Sequence, residues 1–396
     1  MIKGSSNETI NFSSDIGKYS ILEFFFWATF AAYYPYLMVF LDSKGLSNYQ
    51  IGTIFATNSF IILLAQPLWG MVSDRIQSIK KIFIILLSIT IILIGSLPFY
   101  NGAIPLGIIL AIITFFESAL VPLLDSWVIM GIRNNTNISY GNIRLWGSIG
   151  FALMVYIFGK FIAIKGVWIL SLCFASFGIL TILICLRITV NNPPSTSIVK
   201  NLKIIKLLKN YDYISFLLFA IVIFLPHKAA FIFLPRLIES IGGNTVLLGS
   251  SLSIMALSEV PIFLFSKKLI NKIKPIELIL FSSIFFILRQ ILLSIATSPA
   301  DLILIQALQG PSFALFLTGT VYYIDSLAPQ ELKATAQTVA AALYSGISGI
   351  IGSYGGGWII DQFGLISLYH IGIFLSLIIT ILFILSLYLR KKSESL

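Results

Sequence analysis

What most constrains this chain is a length that recurs. About twelve times along 396 residues, a mainly apolar run approaches or exceeds the roughly 20 residues that carry a helix across a bilayer core. The runs fall near 18–41, 49–73, 82–99, 103–131, 141–164, 167–187, 211–238, 245–266, 276–297, 300–324, 333–360 and 363–389. Lipid offers no partner for backbone N–H and C=O groups, so such runs fold as helices that satisfy themselves. Charged residues are 11% of the chain, against about 25% in a soluble domain. The expected fold is an all-α integral membrane protein of twelve transmembrane helices.

The polar stretch RITVNNPPSTSIVKNLKIIKLLKN (187–210) separates six runs from six. The expected organisation is an N-terminal six-helix half over 1–187, a cytoplasmic linker over 188–210 and a C-terminal six-helix half over 211–396. Two faint echoes favour duplication. PLWGMVSDRIQSIKK (67–81) and PIFLFSKKLINKIKP (261–275) each join a proline and an aromatic to a basic turn, and VPLLDSW (121–127) echoes VYYIDSL (321–327). Paired repeats are common in secondary transporters, whose site lies between them near the midplane.

The net charge of +10 reports orientation before it reports a partner. An even number of spans puts both termini on one side. That side then collects Arg75, Lys80, Lys81, the linker lysines, Lys267, Lys268, Arg390, Lys391 and Lys392, while only Lys44, Lys160, Lys165 and Arg236 lie opposite. Both termini are therefore expected in the cytoplasm, with the protein multi-pass in the plasma (inner) membrane, and no nucleic acid is needed to explain the basic charge. The polar first residues lack the order of a cleavable signal, so the first apolar run is expected to stay. Cys173 and Cys185 form no metal or disulfide pattern. No cofactor or metal is expected, and no Gly-x-x-x-x-Gly-Lys-Ser/Thr loop points to ATP. Without a catalytic cluster or an extramembrane domain, an enzyme or a receptor is disfavoured; a monomer is the simplest working unit.

Arg144, Lys228 and Arg289 lie within runs, as do Glu23, Glu117, Asp125 and Glu259, with His227 beside Lys228. An intramembrane ionisable group is by default a candidate functional group. Asp125 and Arg144 sit about nine residues either side of the turn near Asn134–Asn135, hence at similar depth on antiparallel helices. Arg144 either offers donors to a substrate oxygen with Asp125 holding it, or braces two helices as an ion pair. Arg289 lies roughly 9 Å deeper than Glu259 across another loop. Glu259, in apolar MALSEVPIFLF, is a candidate proton carrier or a structural helix-bonding group. His227 and Lys228 are candidates to meet a substrate carboxylate, against a histidine that simply bonds a neighbour. Tyr33, Tyr34, Tyr36, Trp127, Trp146 and Phe151 are stacking candidates in a chain whose aromatics are mostly packing groups. The glycines of YSGISGIIGSYGGGW read as close helix crossing.

GMVSDRIQSIKK (70–81) resembles the cytoplasmic signature of the major facilitator superfamily, Gly-x-x-x-Asp-Arg followed by basic residues. Gly70, Asp74, Arg75, Lys80 and Lys81 match, and Gln77 stands where a glycine is usual; the resemblance implies a conformational latch. YGNIRLWGSIG (140–150) is similar to the segment opening the fifth helix in the lactose-permease-like and phenylpropionate-permease-like branch. It places that branch's arginine at Arg144 and implies Asp125 as the fourth-helix partner. LSEVPIFLFS supplies the eighth-helix glutamate as Glu259, Arg289 falls on the ninth-helix arginine, and HKAAFIFLPRLIESIGG resembles the seventh-helix segment containing histidine. Two departures stand out. Phe151 replaces a sugar-stacking tryptophan, and Gln306 and Gln309 occupy a tenth helix that lacks the branch's His and Glu, so any proton falls to Glu259, with Asp125 or Glu23. The implied function is secondary active transport of a small organic solute by alternating access with proton symport. The solute is a glycoside, a nucleoside-like molecule or an aromatic carboxylate; the alternative is a proton-coupled drug or metabolite efflux antiporter. Substrate contacts are expected from Asp125, Arg144, Phe151, His227 and Lys228, and proton coupling from Glu259, Arg289 and Glu23.

Overall fold

The computed structural model describes residues 6–132, 140–188, 209–329 and 333–394, and among these residues the regular elements are all helices. Most of the linker expected at 188–210 therefore lies outside the described residues. Eleven stretches are long and apolar enough to cross a membrane, and they coincide with eleven of the twelve expected runs. The remaining run, 333–360, is helical as α15 (Lys333–Ala341), a π turn (Ala342–Ile347) and α16 (Ser348–Phe363). Its Gly, Ala and Ser content lowers its hydropathy and serves packing instead.

Prolines set where the first helices break. α1 (Ser6–Ala31) gives way to a 3-10 turn, Tyr34–Tyr36, around Pro35 before α2 (Leu37–Ser43). Between α3 (Asn48–Ile76) and α4 (Ile79–Ser96) the chain turns through Gln77 at φ 53°. The tight corner of the family signature is thus formed without its glycine. A left-handed residue bearing a Cβ costs about 1–2 kcal/mol, and Ser78 then caps α4 by accepting from the Lys81 N–H.

The fourth span is split into α5 (Ala103–Glu117) and α6 (Leu120–Ile132). Pro122 has no N–H for the Ser118 carbonyl four residues back, and lipid cannot supply a donor. Gln66 Nε2 supplies it at 3.0 Å, and Trp69 Nε1 donates to the Phe115 carbonyl at 2.8 Å. α7 (Tyr140–Lys165) and α8 (Ile169–Arg187) follow. Further along come α9 (Tyr211–Ile232), α10 (Leu234–Ser240), α11 (Thr245–Lys272) and α12 (Pro275–Ile295). The tenth span is again interrupted: α13 (Pro299–Gln306), a π turn (Gly310–Ala314), then α14 (Leu315–Leu327). The last helix is α17 (Leu365–Glu394).

By packing, the chain forms two units: residues 1–44 with 64–196, and residues 45–63 with 197–396. In the first, α1 lies along α7 and α8, and α4 along α8. Gly150 lets α7 approach so closely that a Cβ there would stand 2.4 Å from the Phe24 carbonyl oxygen. In the second, α9 packs on α16 and α17, and α12 on α14, around Tyr213, Phe216, Phe219, Phe224 and Phe316. Phe219 stacks on Phe383 at 4.5 Å. The first half of α3 belongs to this unit, where a Cβ on Gly357 would fall 2.2 Å from the Asn48 carbonyl oxygen. Asp361 caps it, accepting from Asn48 Nδ2 and Tyr49 N at 2.8 Å each, while Arg236 Nε donates to Asn48 Oδ1 at 2.7 Å. Helices in lipid gain little from apolar burial against one another, so close approach and hydrogen bonds of this kind decide which faces pair.

Candidate functional site

Most of the intramembrane charges fall into one polar cluster in each unit. In the first, the spacing within LWGSIG does the positioning. Arg144, Gly147 and Gly150 recur every three residues and share the face of α7 that meets α1, where Glu23 and Trp27 lie four residues apart on their own shared face. The Arg144 guanidinium lies over the Trp27 ring, 4.1 Å from its centroid, a cation–π contact of about 0.5–2 kcal/mol. The space above Gly147 is where these groups converge. A Cβ built there would meet Trp27 Cδ1 at 2.4 Å, Arg144 Nη1 at 2.8 Å and Glu23 Oε2 at 2.8 Å.

Glu23 is fully buried, at 0% exposure. Neither of its carboxylate oxygens, nor Nη1 of Arg144, has a hydrogen-bond partner, and Trp27 Nε1 approaches the carboxylate without completing a bond. Asp125, on α6, is half-buried and within electrostatic range of Glu23, as Arg144 is. Phe151 stands edge-on to Trp27 at 6.4 Å, one turn below Gly147. The structure thus brings together Arg144, Glu23 and Phe151 of the expected residues, with Asp125 nearby. The remaining acid, Glu117, ends α5 within electrostatic range of Tyr33 and Tyr34.

The second cluster is built on α12 and the broken tenth span. Arg289, 4% exposed, donates from Nη1 to Gln309 Oε1 at 2.6 Å and from Nη2 to Gln306 Oε1 at 2.7 Å, with Met255 Sδ at 3.8 Å. Its Nη1 also lies 3.3 Å from His227 Nδ1. A guanidinium only donates, so Nδ1 accepts, the ring proton sits on Nε2, and His227 is neutral while this bond holds. His227 stacks on Phe313 at 5.4 Å and meets Phe224 and Phe286 edge-on. Gln309 Nε2 then donates to Glu259 Oε1 at 3.2 Å. The depth gap between Glu259 and Arg289 is therefore closed by an amide that bonds both.

Local backbone explains why Gln309 reaches both groups. Its carbonyl opens the π turn, and Gly310 there sits against α11, with its N–H donating to Ser258 Oγ at 2.9 Å and no room for a Cβ beside the Ser258 carbonyl at 2.2 Å. π turns recur at functional sites. Lys228, next to His227, stays out of this network: its side chain is half-buried, and no hydrogen bond or ion pair engages it among the described residues.

Several expected groups take other places. Lys80 donates to the Leu186 and Ile188 carbonyls at 3.3 and 2.7 Å, capping the C-terminus of α8. Arg75 and Lys81 are exposed, Gly70 has open space around it, and the Asp74 side chain lies outside the described residues. Trp127 is a core residue, 1% exposed and edge-on to Tyr19 and Phe83, and Tyr36 is buried with its hydroxyl donating to the Val155 carbonyl. Trp146 points outward. Trp27, Gln306 and Gln309 join the sites without having been chosen as site residues. The signals were present: Trp27 stands one helical turn from Glu23, and the glutamines fall three apart in an otherwise apolar run.

Known proteins are similar to this chain in sequence and in fold. The MFS_1-like family matches residues 16–371. An uncharacterized transporter of Bacillus subtilis, YwbF, is 28% identical over 368 residues, covering 91% of this chain and 90% of its own. The maltose permease of Geobacillus stearothermophilus is 25% identical over 381 residues, 95% of this chain and 94% of the permease. The crystal structure of the nucleoside transporter NupG superposes with a TM-score of 0.82 at 16% identity over 94% of this chain and 99% of that one, a likeness of fold.

Proposed function

We propose a function on the premise that the chain belongs to the MFS_1-like family, within the major facilitator superfamily, and is a secondary transporter of small solutes. Its solute is a neutral, multiply hydroxylated ring, a glycoside or a nucleoside-like molecule, taken up by alternating access together with a proton held on a buried carboxylate. The observation that supports this most is the unspent donor of Arg144 above Trp27. A hydroxylated ring needs a fork of donors, an acceptor and an apolar face; Arg144, Asp125 and the rings of Trp27 and Phe151 offer these in one unit. An anion would meet the acids Glu23 and Asp125 beside Arg144.

A carboxylate-bearing solute is the second reading, and Lys228 favours it, as a half-buried cation with no protein partner among the described residues. The basic cytoplasmic side would hold both termini in the plasma (inner) membrane, with six-helix halves at 1–187 and 211–396 and the Asp74–Arg75 turn as their latch. The same acids would serve the alternative, export by proton antiport.

Purified protein in proteoliposomes under an inward proton gradient should accumulate labelled disaccharides or nucleosides, and Arg144→Ala should abolish this. In detergent, a true solute at 100 times its Kd stabilises the fold by about 2.7 kcal/mol. Binding and uptake that survive Arg144→Ala unchanged would falsify the assignment, and stabilisation by aromatic carboxylates lost in Lys228→Met would establish the second reading in its place. Efflux driven by the gradient would reverse the direction while keeping the site.

A further inference from the structure

Glu23 and the solute have the same claim on one guanidinium. The carboxyl of Glu23 is wholly buried, its two oxygens accept no hydrogen bond, and Oε2 and Arg144 Nη1 both stand 2.8 Å from the same point over Gly147. A buried carboxylate without donors is costly to keep charged, and a buried guanidinium nitrogen without an acceptor, as Nη1 of Arg144 is, is costly to leave so. Two arrangements relieve this. With a proton on Glu23, Arg144 keeps Nη1 for a solute oxygen. With Glu23 ionised, the carboxylate takes Nη1 as an ion pair and the solute loses its donor.

We propose that protonation of Glu23 gates solute binding by releasing Arg144, so that proton and solute bind to the first unit together. The inference rests on Arg144 as the solute's donor and goes beyond it by assigning the proton to Glu23 and not to Glu259, which Gln309 already engages. Gly147 makes the exchange sterically possible, because a Cβ would occupy the space through which the carboxylate and guanidinium meet. Trp27 keeps the guanidinium in place in both states by holding its flat face. The charged groups bearing on Glu23 are Arg144 from α7 and Asp125 from α6. α8, also packed along α1, meets it through Thr181, Gly178 and Phe177, and its titratable Cys173 and Cys185 sit beyond these. On α1 itself Lys18 and Tyr19 lie one turn before Glu23. Because binding takes up a proton, affinity should fall as pH rises through the transition, by up to about tenfold per pH unit.

The test measures solute affinity of the full chain in detergent between about pH 5.5 and 9, using the disaccharide or nucleoside that stabilises it, for wild type and Glu23→Gln. The expected result is falling affinity with pH in the wild type and a flat, tight profile in Glu23→Gln, which also keeps solute exchange while losing gradient-driven accumulation. A Glu23→Gln profile that still falls like the wild type would overturn the proposal and return the proton to Glu259. Loss of binding at every pH would overturn it too, making Glu23 a ligand. A second readout needs no solute: the pH-dependent part of tryptophan emission, defined by subtracting Trp27→Phe, should vanish in Glu23→Gln. Should that titration be present while no hydroxylated solute binds, the solute assignment fails and the gate stands; its absence in the wild type sinks the gate alone.

Discussion

Arg144 and Arg289 both lie within spans of this membrane protein, and they are held in opposite ways. Arg289 is surrounded by acceptors: two amide oxygens, a neutral imidazole nitrogen and a thioether, with only Nε lacking a partner. Arg144 rests on an aromatic face beside a carboxylate it does not bond, and keeps a donor in reserve. The comparison teaches that a buried charge is diagnosed by its ligation more than by its depth. A cation whose donors are consumed by the protein is a structural post, whereas one with donors left over is available for something else.

The strongest way to break the comparison is to delete each arginine. Arg289→Ala leaves Gln306, Gln309 and His227 without their common donor, at about 1–3 kcal/mol for each group left unsatisfied, read as a large fall in Tm in detergent. Arg144→Ala should cost about 1 kcal/mol, the value of a cation–π contact, and abolish solute binding; if it proved the more destabilising of the two, the distinction would collapse. Next come the glycines that seat each cluster. Gly310→Ala drives a Cβ into the Ser258 carbonyl, which is backbone and cannot yield, so stability should drop by about 2–3 kcal/mol. Gly147→Ala meets the movable ends of Trp27, Arg144 and Glu23, so it should lose about 1–2 kcal/mol of stability but most of the solute affinity. Gln309→Leu should cost about 1–2 kcal/mol by taking one acceptor from Arg289 and one donor from Glu259, measurable by thermal unfolding. The smallest effect lies outside both clusters: Gln77→Gly should raise stability by about 1 kcal/mol by relieving a left-handed residue.

Much of the fold could be read from the residues because lipid leaves few choices. Apolar runs of span length, separated by basic loops, become helices, and eleven of the twelve met the same criterion in three dimensions. Of the candidate groups, charges announced themselves: Arg144, Glu23, Glu259 and Arg289 stand out against apolar neighbours. Neutral partners did not. Gln306 and Gln309 looked like missing carboxylates until the π turn showed them serving Arg289, and nothing in the composition of a span distinguishes an amide that bonds a cation from one that bonds a carbonyl. Trp27 was hidden for a different reason, as one aromatic among many, and only the shared face with Glu23 set it apart. Gln77 is a different case: it stands where a glycine is usual, and the corner still forms because one left-handed residue bearing a Cβ is tolerated where two helices must reverse.

The broken fourth span carries a consequence for how the protein is made. Its freed carbonyls, Phe115 and Ser118, are bonded by Trp69 and Gln66, side chains of a helix that precedes the span in the chain. A ribosome delivers the N-terminal helices first, so both donors are already in the membrane when residues 103–131 arrive. The interrupted helix need never present bare carbonyls to hydrocarbon, since its substitute for water was inserted ahead of it.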